Sequence, residues 1–208
     1  MQINILLMKT RKIKKIYAKA AADYDERIFN SEYKAYKIMA LWALEKSKKR
    51  DAKILDLGCG TGHSSLEFFK KSFSVTGIDI SKEMLKKATK YPFEKIIIQD
   101  LEKPLKVDDN KFDIIMLIGV MEFIRNPLFL FKQINKKLNP RGIFLVTVPQ
   151  KLHKDNKLPI KHYSKEEIEL IFSKVGFNIL GHKSFLGYYK KVNKRKEPVR
   201  YFGYLLKK

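Results

Sequence analysis

Short apolar runs alternate with longer amphipathic segments along the middle of the chain. The apolar runs begin near residues 53, 74, 95, 112 and 142, and segments of helical periodicity separate them. Strands that alternate with helices form successive β-α-β units, which build a parallel sheet with right-handed crossovers. The pattern therefore predicts an α/β protein with a mainly parallel central sheet.

The flanking segments have different patterns. Apolar residues recur at i, i+4 steps before the first strand, which predicts helices from about Ile13 to Lys49, preceded by a basic arm. Residues 150–162 lose their periodicity and gain polar side chains, and a helix with Ser164 as N-cap and Gly176 as C-cap is predicted after them. The last two strands are predicted at Phe177 to His182 and Tyr201 to Leu206.

The first predicted strand ends in three glycines at alternate positions, Gly58, Gly60 and Gly62. Glycine permits positive φ angles and lets the backbone approach a ligand closely. A helix that begins near Gly62 would direct its free N–H groups into the same crevice. This segment, which we call the glycine turn, is therefore predicted to bind a ligand. Its G-x-G-x-G spacing differs from the G-x-G-x-x-G pattern of a dinucleotide loop.

Acidic residues lie at the ends of the next two predicted strands. Asp79 follows Gly62 at about the spacing expected for a carboxylate that binds ribose hydroxyls, because a carboxylate accepts both O–H donors of a vicinal diol. Asp100 ends the third strand, and Gly119 follows the fourth. Parallel sheets bind ligands at the carboxyl ends of their strands. The sequence therefore predicts one ligand site along this edge.

The segment DLGCGTG, Asp56 to Gly62, resembles the first motif of the class I S-adenosylmethionine-dependent methyltransferases. Weaker similarity extends from about Tyr17 to Phe177. The resemblance implies a Rossmann-like sheet of seven strands in the order 3-2-1-4-5-7-6, with the last strand antiparallel and helices on both faces. It also implies a basic arm and helical cap in residues 1–50 and a methyltransferase core in residues 51–208, within a single globular domain overall.

The resemblance implies S-adenosylmethionine as cofactor and S-adenosylhomocysteine as product. The glycine turn would surround the methionine part, and Asp56 would orient its ammonium group. Asp79 would bind the ribose, Ile80 would contact the adenine, and Asp100 and the backbone of Leu101 would bind the adenine edge. The implied cofactor-binding residues are Tyr24, Asp56, Gly58, Cys59, Gly60, Gly62, Asp79, Ile80, Asp100, Leu101 and Ile118. Tyr17 and Tyr24 are candidates for the wall of the pocket.

The segment after the fourth strand bears on catalysis. Many related small-molecule methyltransferases carry Glu-His there, and this chain has Glu122 and Phe123. Because phenylalanine cannot accept a proton, three alternatives are open. Glu122 acts as the base, His153 or His162 reaches the site and does so, or no base is needed. Alignment alone can supply roughly 7–11 kcal/mol in favourable cases. Glu122 and His162 are the candidate catalytic residues.

Composition limits the kinds of site, location and partner that the chain can have. The single cysteine, Cys59, excludes an intramolecular disulfide and a cysteine-based zinc site, and we predict no metal site. No apolar run reaches the roughly 20 residues of a membrane helix, and a cytoplasmic location is expected. The net charge of +22 makes nucleic acid a possible partner, although lysine-rich composition is also typical of AT-rich coding sequences.

The sequence therefore predicts a methyltransferase that modifies an oxygen or nitrogen of a small-molecule acceptor. An RNA methyltransferase that uses the basic surface is one alternative. A cofactor-binding partner subunit without catalytic activity is another, and the absence of the usual histidine after Glu122 supports it. A nicotinamide dehydrogenase would share the sheet, but it conflicts with the glycine spacing and the Asp100 segment. The identity of the acceptor and the oligomeric state are left open.

Overall fold

The computed structural model describes residues 2–30, 33–47, 49–150, 163–192 and 195–208. Seven helices and seven strands are present in these residues. The helices are α1 Gln2–Ala20, α2 Tyr24–Asn30, α3 Ala35–Lys46, α4 Leu66–Phe69, α5 Lys82–Ala88, α6 Pro127–Lys137 and α7 Lys165–Val175. The strands are β1 Lys53–Leu57, β2 Ser74–Asp79, β3 Lys95–Ile98, β4 Phe112–Leu117, β5 Leu138–Pro149, β6 Asn178–Val192 and β7 Arg195–Lys207. Short 3-10 helices follow β1 at His63–Ser65 and β4 at Met121–Phe123.

The strands form one sheet in the order β3-β2-β1-β4-β5-β7-β6. Neighbouring strands from β3 to β5 are parallel, and β7 is antiparallel to both β5 and β6. The predicted fold is confirmed in strand order and direction. The order reverses between β1 and β4, so the carboxyl ends of these two strands border the crevice where such sheets bind ligands.

Two apolar layers cover the faces of the sheet. Successive side chains of a strand point to opposite faces, so Ile114 packs in one layer and Ile115 in the other. Helices α6 and α7 cover one face, and α3 and α4 cover the other. Burial on both faces explains why the central strands are almost continuously apolar. These layers hold the strand ends in fixed relative positions.

Local sequence signals define three of the helix ends as predicted. The Ser81 hydroxyl accepts a hydrogen bond from Met84 N–H and caps α5. Ser164 and Glu167 form a reciprocal capping box at α7, and Gly176 ends this helix with a φ of 85°. These caps satisfy backbone donors and acceptors that a helix end leaves without partners.

Some elements are longer than predicted. Helix α1 begins at Gln2, so the basic stretch from Lys9 to Lys15 belongs to this helix. The last two strands continue past the end of β5, where Leu186 to Val192 pairs with Arg195 to Arg200 as a two-stranded ribbon.

Candidate active site

The glycine turn is tied to the neighbouring strand by backbone hydrogen bonds. The N–H groups of Gly58 and Cys59 both donate to the carbonyl of Ile78, at 2.7 and 3.1 Å. Gly58 has a φ of 75°, and a Cβ atom at this position would lie 2.4 Å from a methyl group of Val120. The turn therefore approaches the segment after β4 more closely than any other residue type would allow.

Asp79 lies at the carboxyl end of β2 and faces this turn. One carboxylate oxygen accepts from Gly60 N–H at 3.0 Å, and the other accepts from Ser81 N–H at 2.8 Å. Burial raises the pKa of Asp79, while these backbone donors oppose the shift. Each carboxylate oxygen has more than one lone pair, so both can still accept from hydroxyl groups of a ligand.

Asp56 is buried beneath the same turn. The hydroxyls of Ser64 and Ser65 donate to its Oδ2 atom at 2.5 and 2.7 Å, and Oδ1 is buried without a hydrogen-bond partner. Burial raises the pKa of Asp56 to about 6, although the two serine hydrogen bonds lower it. A buried acceptor without a partner is costly, so Oδ1 is suited to accept from a cationic group or a water molecule held by the turn.

A cavity of about 480 Å³ opens at the carboxyl edge of the sheet. It brings together Tyr24, Gly58, Gly60, Asp79, Ile80, Asp100, Leu101, Ile118 and Glu122. Of the other residues singled out in the sequence, Asp56, Cys59 and Gly62 do not line this cavity, and Cys59 lines a small adjoining one. His153 and His162 lie outside the described residues.

The lining of the cavity combines acidic and apolar groups. Asp79, Asp100 and Glu122 contribute carboxyl groups, and Asp100 also accepts a hydrogen bond from Glu102 N–H at 2.9 Å. Apolar and aromatic side chains line the cavity as well, among them Ile13, Ile16, Tyr17, Ile28 and Phe123. The cavity can therefore hold a ligand that has both polar and apolar parts.

Glu122 is buried on the 3-10 helix after β4 and lines the cavity. Its Oε1 atom accepts from the Tyr201 hydroxyl at 3.3 Å, and Oε2 is buried without a hydrogen-bond partner. Burial raises the pKa of Glu122 to about 7, and its own backbone N–H and then the Tyr201 hydroxyl partly oppose this shift. A carboxyl group with this pKa can exchange a proton near neutral pH.

Burial of Glu122 has a consequence for stability. Between pH 4.5, the ordinary pKa of a glutamate, and about pH 7, the carboxyl group of Glu122 should stay protonated in the folded protein, whereas the unfolded chain loses this proton. The free energy of unfolding of the wild type should therefore fall by up to about 3 kcal/mol, relative to Glu122→Gln, as the pH rises through this range. Chemical denaturation at several pH values measures the difference, which should be constant above pH 8. A difference that does not change with pH would contradict the raised pKa.

Two N-terminal helices cover the cavity. Tyr17 on α1 contacts Phe123 edge to face, with ring centroids 5.7 Å apart, and also contacts Tyr24 at 6.2 Å. Burial, and then the charges of Asp79 and Glu122, raise the pKa of Tyr24 to about 12. The Tyr24 hydroxyl is therefore neutral at physiological pH and can donate a hydrogen bond into the cavity.

An ion-pair cluster holds α2 on the core. Asp25 Oδ2 lies 2.6 Å from Lys90 Nζ, and Asp25 Oδ1 lies 3.2 Å from His63 Nδ1. Hydrogen bonds from Lys90 and Thr61, and then the neighbouring His63, hold the pKa of Asp25 below its ordinary value, against the effect of burial. The three residues of this cluster lie far apart in the sequence. Their side chains therefore connect α2 to the segments around the glycine turn without any backbone link between them.

We expect Asp25→Asn to loosen this cover. Partly exposed ion pairs contribute about 0.5–1 kcal/mol, so cofactor affinity should fall roughly two- to fivefold, and less at high salt. Calorimetric titration at two salt concentrations measures the change. Glu26→Gln removes the same charge from an exposed neighbour on α2 and is the matched control. Equal affinities for both variants would show that the cluster does not hold the cover.

Comparisons with known proteins define the family. A family model described as a methyltransferase domain matches residues 24–182. The chain therefore belongs to the methyltransferase-domain family, as a class I S-adenosylmethionine-dependent methyltransferase. An S-adenosylmethionine-dependent methyltransferase from Methanosarcina mazei shares the fold, with a TM-score of 0.65 and 18% identity over 80% of this chain and 96% of that one.

Two curated relatives illustrate the range of the matches. The uncharacterized protein MJ1123 of Methanocaldococcus jannaschii is 30% identical over 200 residues, which cover 86% of this chain and 89% of that protein. A malonyl-[acyl-carrier protein] O-methyltransferase of Halalkalibacterium halodurans is 30% identical over 146 residues, which cover 64% of this chain and 53% of that protein. The chain spans about half the length of several curated relatives that it matches.

The arrangement of polar groups fits S-adenosylmethionine. Asp79 lines the cavity and offers two acceptors suited to a ribose diol, and the Asp56 Oδ1 atom, which lies outside the cavity beneath the turn, is suited to act on an ammonium group through a water molecule. Within the described residues, no group of three or more His, Cys, Asp or Glu side chains could hold a metal ion. Among the helices described, none is both long and apolar enough to cross a membrane.

Proposed function

We propose that this methyltransferase transfers the methyl group to an oxygen or nitrogen of a small, largely apolar acceptor. The observation that carries the proposal is the position of Glu122, which lines the cavity together with apolar side chains and whose buried Oε2 has no hydrogen-bond partner. A hydroxyl or amine of the acceptor would satisfy this oxygen. The apolar residues beside it would bury the rest of the acceptor.

In this proposal, Asp79 binds the ribose of the cofactor, Ile80 and Asp100 with Leu101 bind the adenine, and the glycine turn with Asp56 binds the methionine part. Residues 51–208 form the methyltransferase core. The N-terminal helices α1 and α2 act as a cap, because Tyr17 and Tyr24 close the cavity above Glu122 and Asp79. The cap thereby excludes water from the reacting groups, which strengthens the electrostatic interactions between them.

When bound, S-adenosylmethionine supplies an electrophilic methyl group on a sulfonium. Glu122 accepts a hydrogen bond from the acceptor hydroxyl or amine, which orients a lone pair of that atom. Glu122 would then take the proton while the acceptor atom bonds to the methyl carbon and the bond from that carbon to sulfur breaks, so that the methylated acceptor is uncharged and S-adenosylhomocysteine is the second product. A pKa of about 7 suits this role, because the carboxylate form is well populated at neutral pH.

The proposal is tested by supplying methyl-labelled S-adenosylmethionine with a panel of acceptors. The panel contains phenols, aliphatic alcohols, amines, carboxylic acids and an unmodified tRNA transcript. Label transfer to a small molecule, lost in Glu122→Gln, supports the proposal. Label transfer to the transcript alone would favour the RNA alternative. Cofactor binding without transfer to any class, across a broad extension of the panel, would favour a non-catalytic partner subunit.

A further inference from the structure

The carboxyl group of Glu122 accepts a hydrogen bond from the last strand. Tyr201 lies on β7, where it pairs with Pro149 at the carboxyl end of β5. Because β7 runs antiparallel to β5, the residue at which their pairing begins lies at the same sheet edge as the ends of β1 and β4. The Tyr201 side chain is 2% exposed, and its hydroxyl donates to Glu122 Oε1 at 3.3 Å.

The Tyr201 ring has little freedom to move. It is stacked on Phe185 of β6, with centroids 6.4 Å apart and an interplanar angle of 15°, and it meets the edge of Tyr33 at 6.1 Å. A Cβ atom at Gly187 would lie 2.5 Å from two ring carbons, so glycine leaves the space that the ring occupies. Gln150 Nε2 also donates to the backbone carbonyl of Tyr201 at 3.2 Å.

We propose that Tyr201 is a positioning residue for Glu122, which fixes the orientation of the carboxyl group so that Oε2 faces the acceptor. The inference rests on the proposed function, in which Glu122 is the base. Tyr201 occupies Oε1 through a rigid donor and leaves Oε2 as the oxygen available to a ligand. The terminal torsion of a glutamate has a broad energy minimum, and the Tyr201 hydroxyl restricts it by holding Oε1, in addition to the interaction with the backbone N–H of Glu122.

The hydrogen bond also has an electrostatic consequence. A donor to a carboxylate favours the charged form, so Tyr201 lowers the pKa of Glu122 relative to burial alone. Without the hydroxyl, Glu122 should retain its proton at higher pH and be a poorer proton acceptor at neutral pH. A purely structural role of the tyrosine ring would not produce this shift, because phenylalanine fills nearly the same space.

The test compares Tyr201→Phe with Tyr204→Phe. Tyr204 lies on the same strand, is fully buried, and donates to Glu169 at 3.1 Å, away from the cavity. The two substitutions remove the same atom. Proteins with ¹³C-labelled glutamate carboxyl groups are titrated by NMR, and the Glu122 signal is assigned by its loss in Glu122→Gln.

We expect Glu122 to titrate near pH 7 in the wild type and in Tyr204→Phe, and about one pKa unit higher in Tyr201→Phe. An unchanged titration in Tyr201→Phe would overturn the inference. If that variant does not fold, ¹³Cζ-labelled tyrosine in the wild type provides a second measurement of the same contact. The Tyr201 signal should then shift as Glu122 titrates, and this shift should be absent in Glu122→Gln. A Tyr201 signal that is insensitive to Glu122 would also overturn it.

An activity measurement separates this inference from the proposed function. With an acceptor found in the labelled-methyl panel, Tyr201→Phe should lower kcat and move the acidic limb of its pH profile upward, with little change in KM for S-adenosylmethionine. Full activity of Glu122→Gln would contradict the proposed function but leave the NMR coupling intact. Loss of activity in Glu122→Gln, with a wild-type profile in Tyr201→Phe, would contradict only the positioning role.

Discussion

Replacing Asp79 by alanine is expected to weaken S-adenosylmethionine binding at least about 100-fold. Hydrogen bonds to a charged group contribute roughly 1.5–3 kcal/mol each, and Asp79 is proposed to accept two from the ribose. The substitution also removes the acceptor for Gly60 N–H, which helps to fix the glycine turn. Calorimetric titration of the folded variant with S-adenosylmethionine and S-adenosylhomocysteine measures the loss.

A second carboxylate that lines the cavity provides a comparison for the size of this loss. Asp100→Ala removes a carboxylate at the next strand end, whose bond to Glu102 N–H does not involve the glycine turn. We expect a smaller loss for this variant, on the order of tenfold, because a single hydrogen bond to the adenine is at stake. Unchanged affinity in Asp79→Ala would remove Asp79 from the proposed site.

Glu122→Gln is expected to lower kcat by a factor of about 10²–10⁴, with cofactor affinity retained within a fewfold. Glutamine has nearly the same shape as glutamate and can keep the hydrogen bond from Tyr201, but it cannot accept a proton. In the wild type, kcat should rise with pH on an acidic limb near pH 7, because the active form of Glu122 is the carboxylate. This limb should be absent in the residual activity of the variant.

The effect of Glu122→Gln on kcat and KM depends on the acceptor. An acceptor with an already ionised oxygen or a neutral amine needs little help from a base, so Glu122→Gln would then affect KM more than kcat. Steady-state kinetics on a phenol and on a matched amine distinguish these cases. Wild-type kcat for both acceptors would contradict a role for Glu122 in proton transfer.

Features that depend on local chemistry could be predicted from the sequence. The glycine turn needs residues that tolerate positive φ, and the Ser81 and Ser164 caps need side chains that accept from nearby N–H groups. The alternation of apolar and helical segments predicted a mainly parallel sheet, and the order of its strands was implied by the family resemblance alone. These signals extend over a few residues each, so they can be read without knowledge of the folded chain.

Features that depend on register and on long-range contacts could not be predicted. Tyr201 reaches Glu122 because β7 pairs with β5 in one particular register, and a shift of one residue would turn its side chain to the other face. The contact of Asp25 with Lys90 links positions far apart in sequence. In both cases the residue type was visible, but nothing in the local pattern indicated which partner it would meet.

The most direct test of this account is a crystal structure of the protein with S-adenosylhomocysteine. We predict that the ribose hydroxyls lie within hydrogen-bonding distance of Asp79, that the adenine contacts Ile80 and Asp100, and that the sulfur faces the part of the cavity that contains Glu122. A ligand that binds elsewhere, or one whose sulfur faces away from Glu122, would contradict the proposed site.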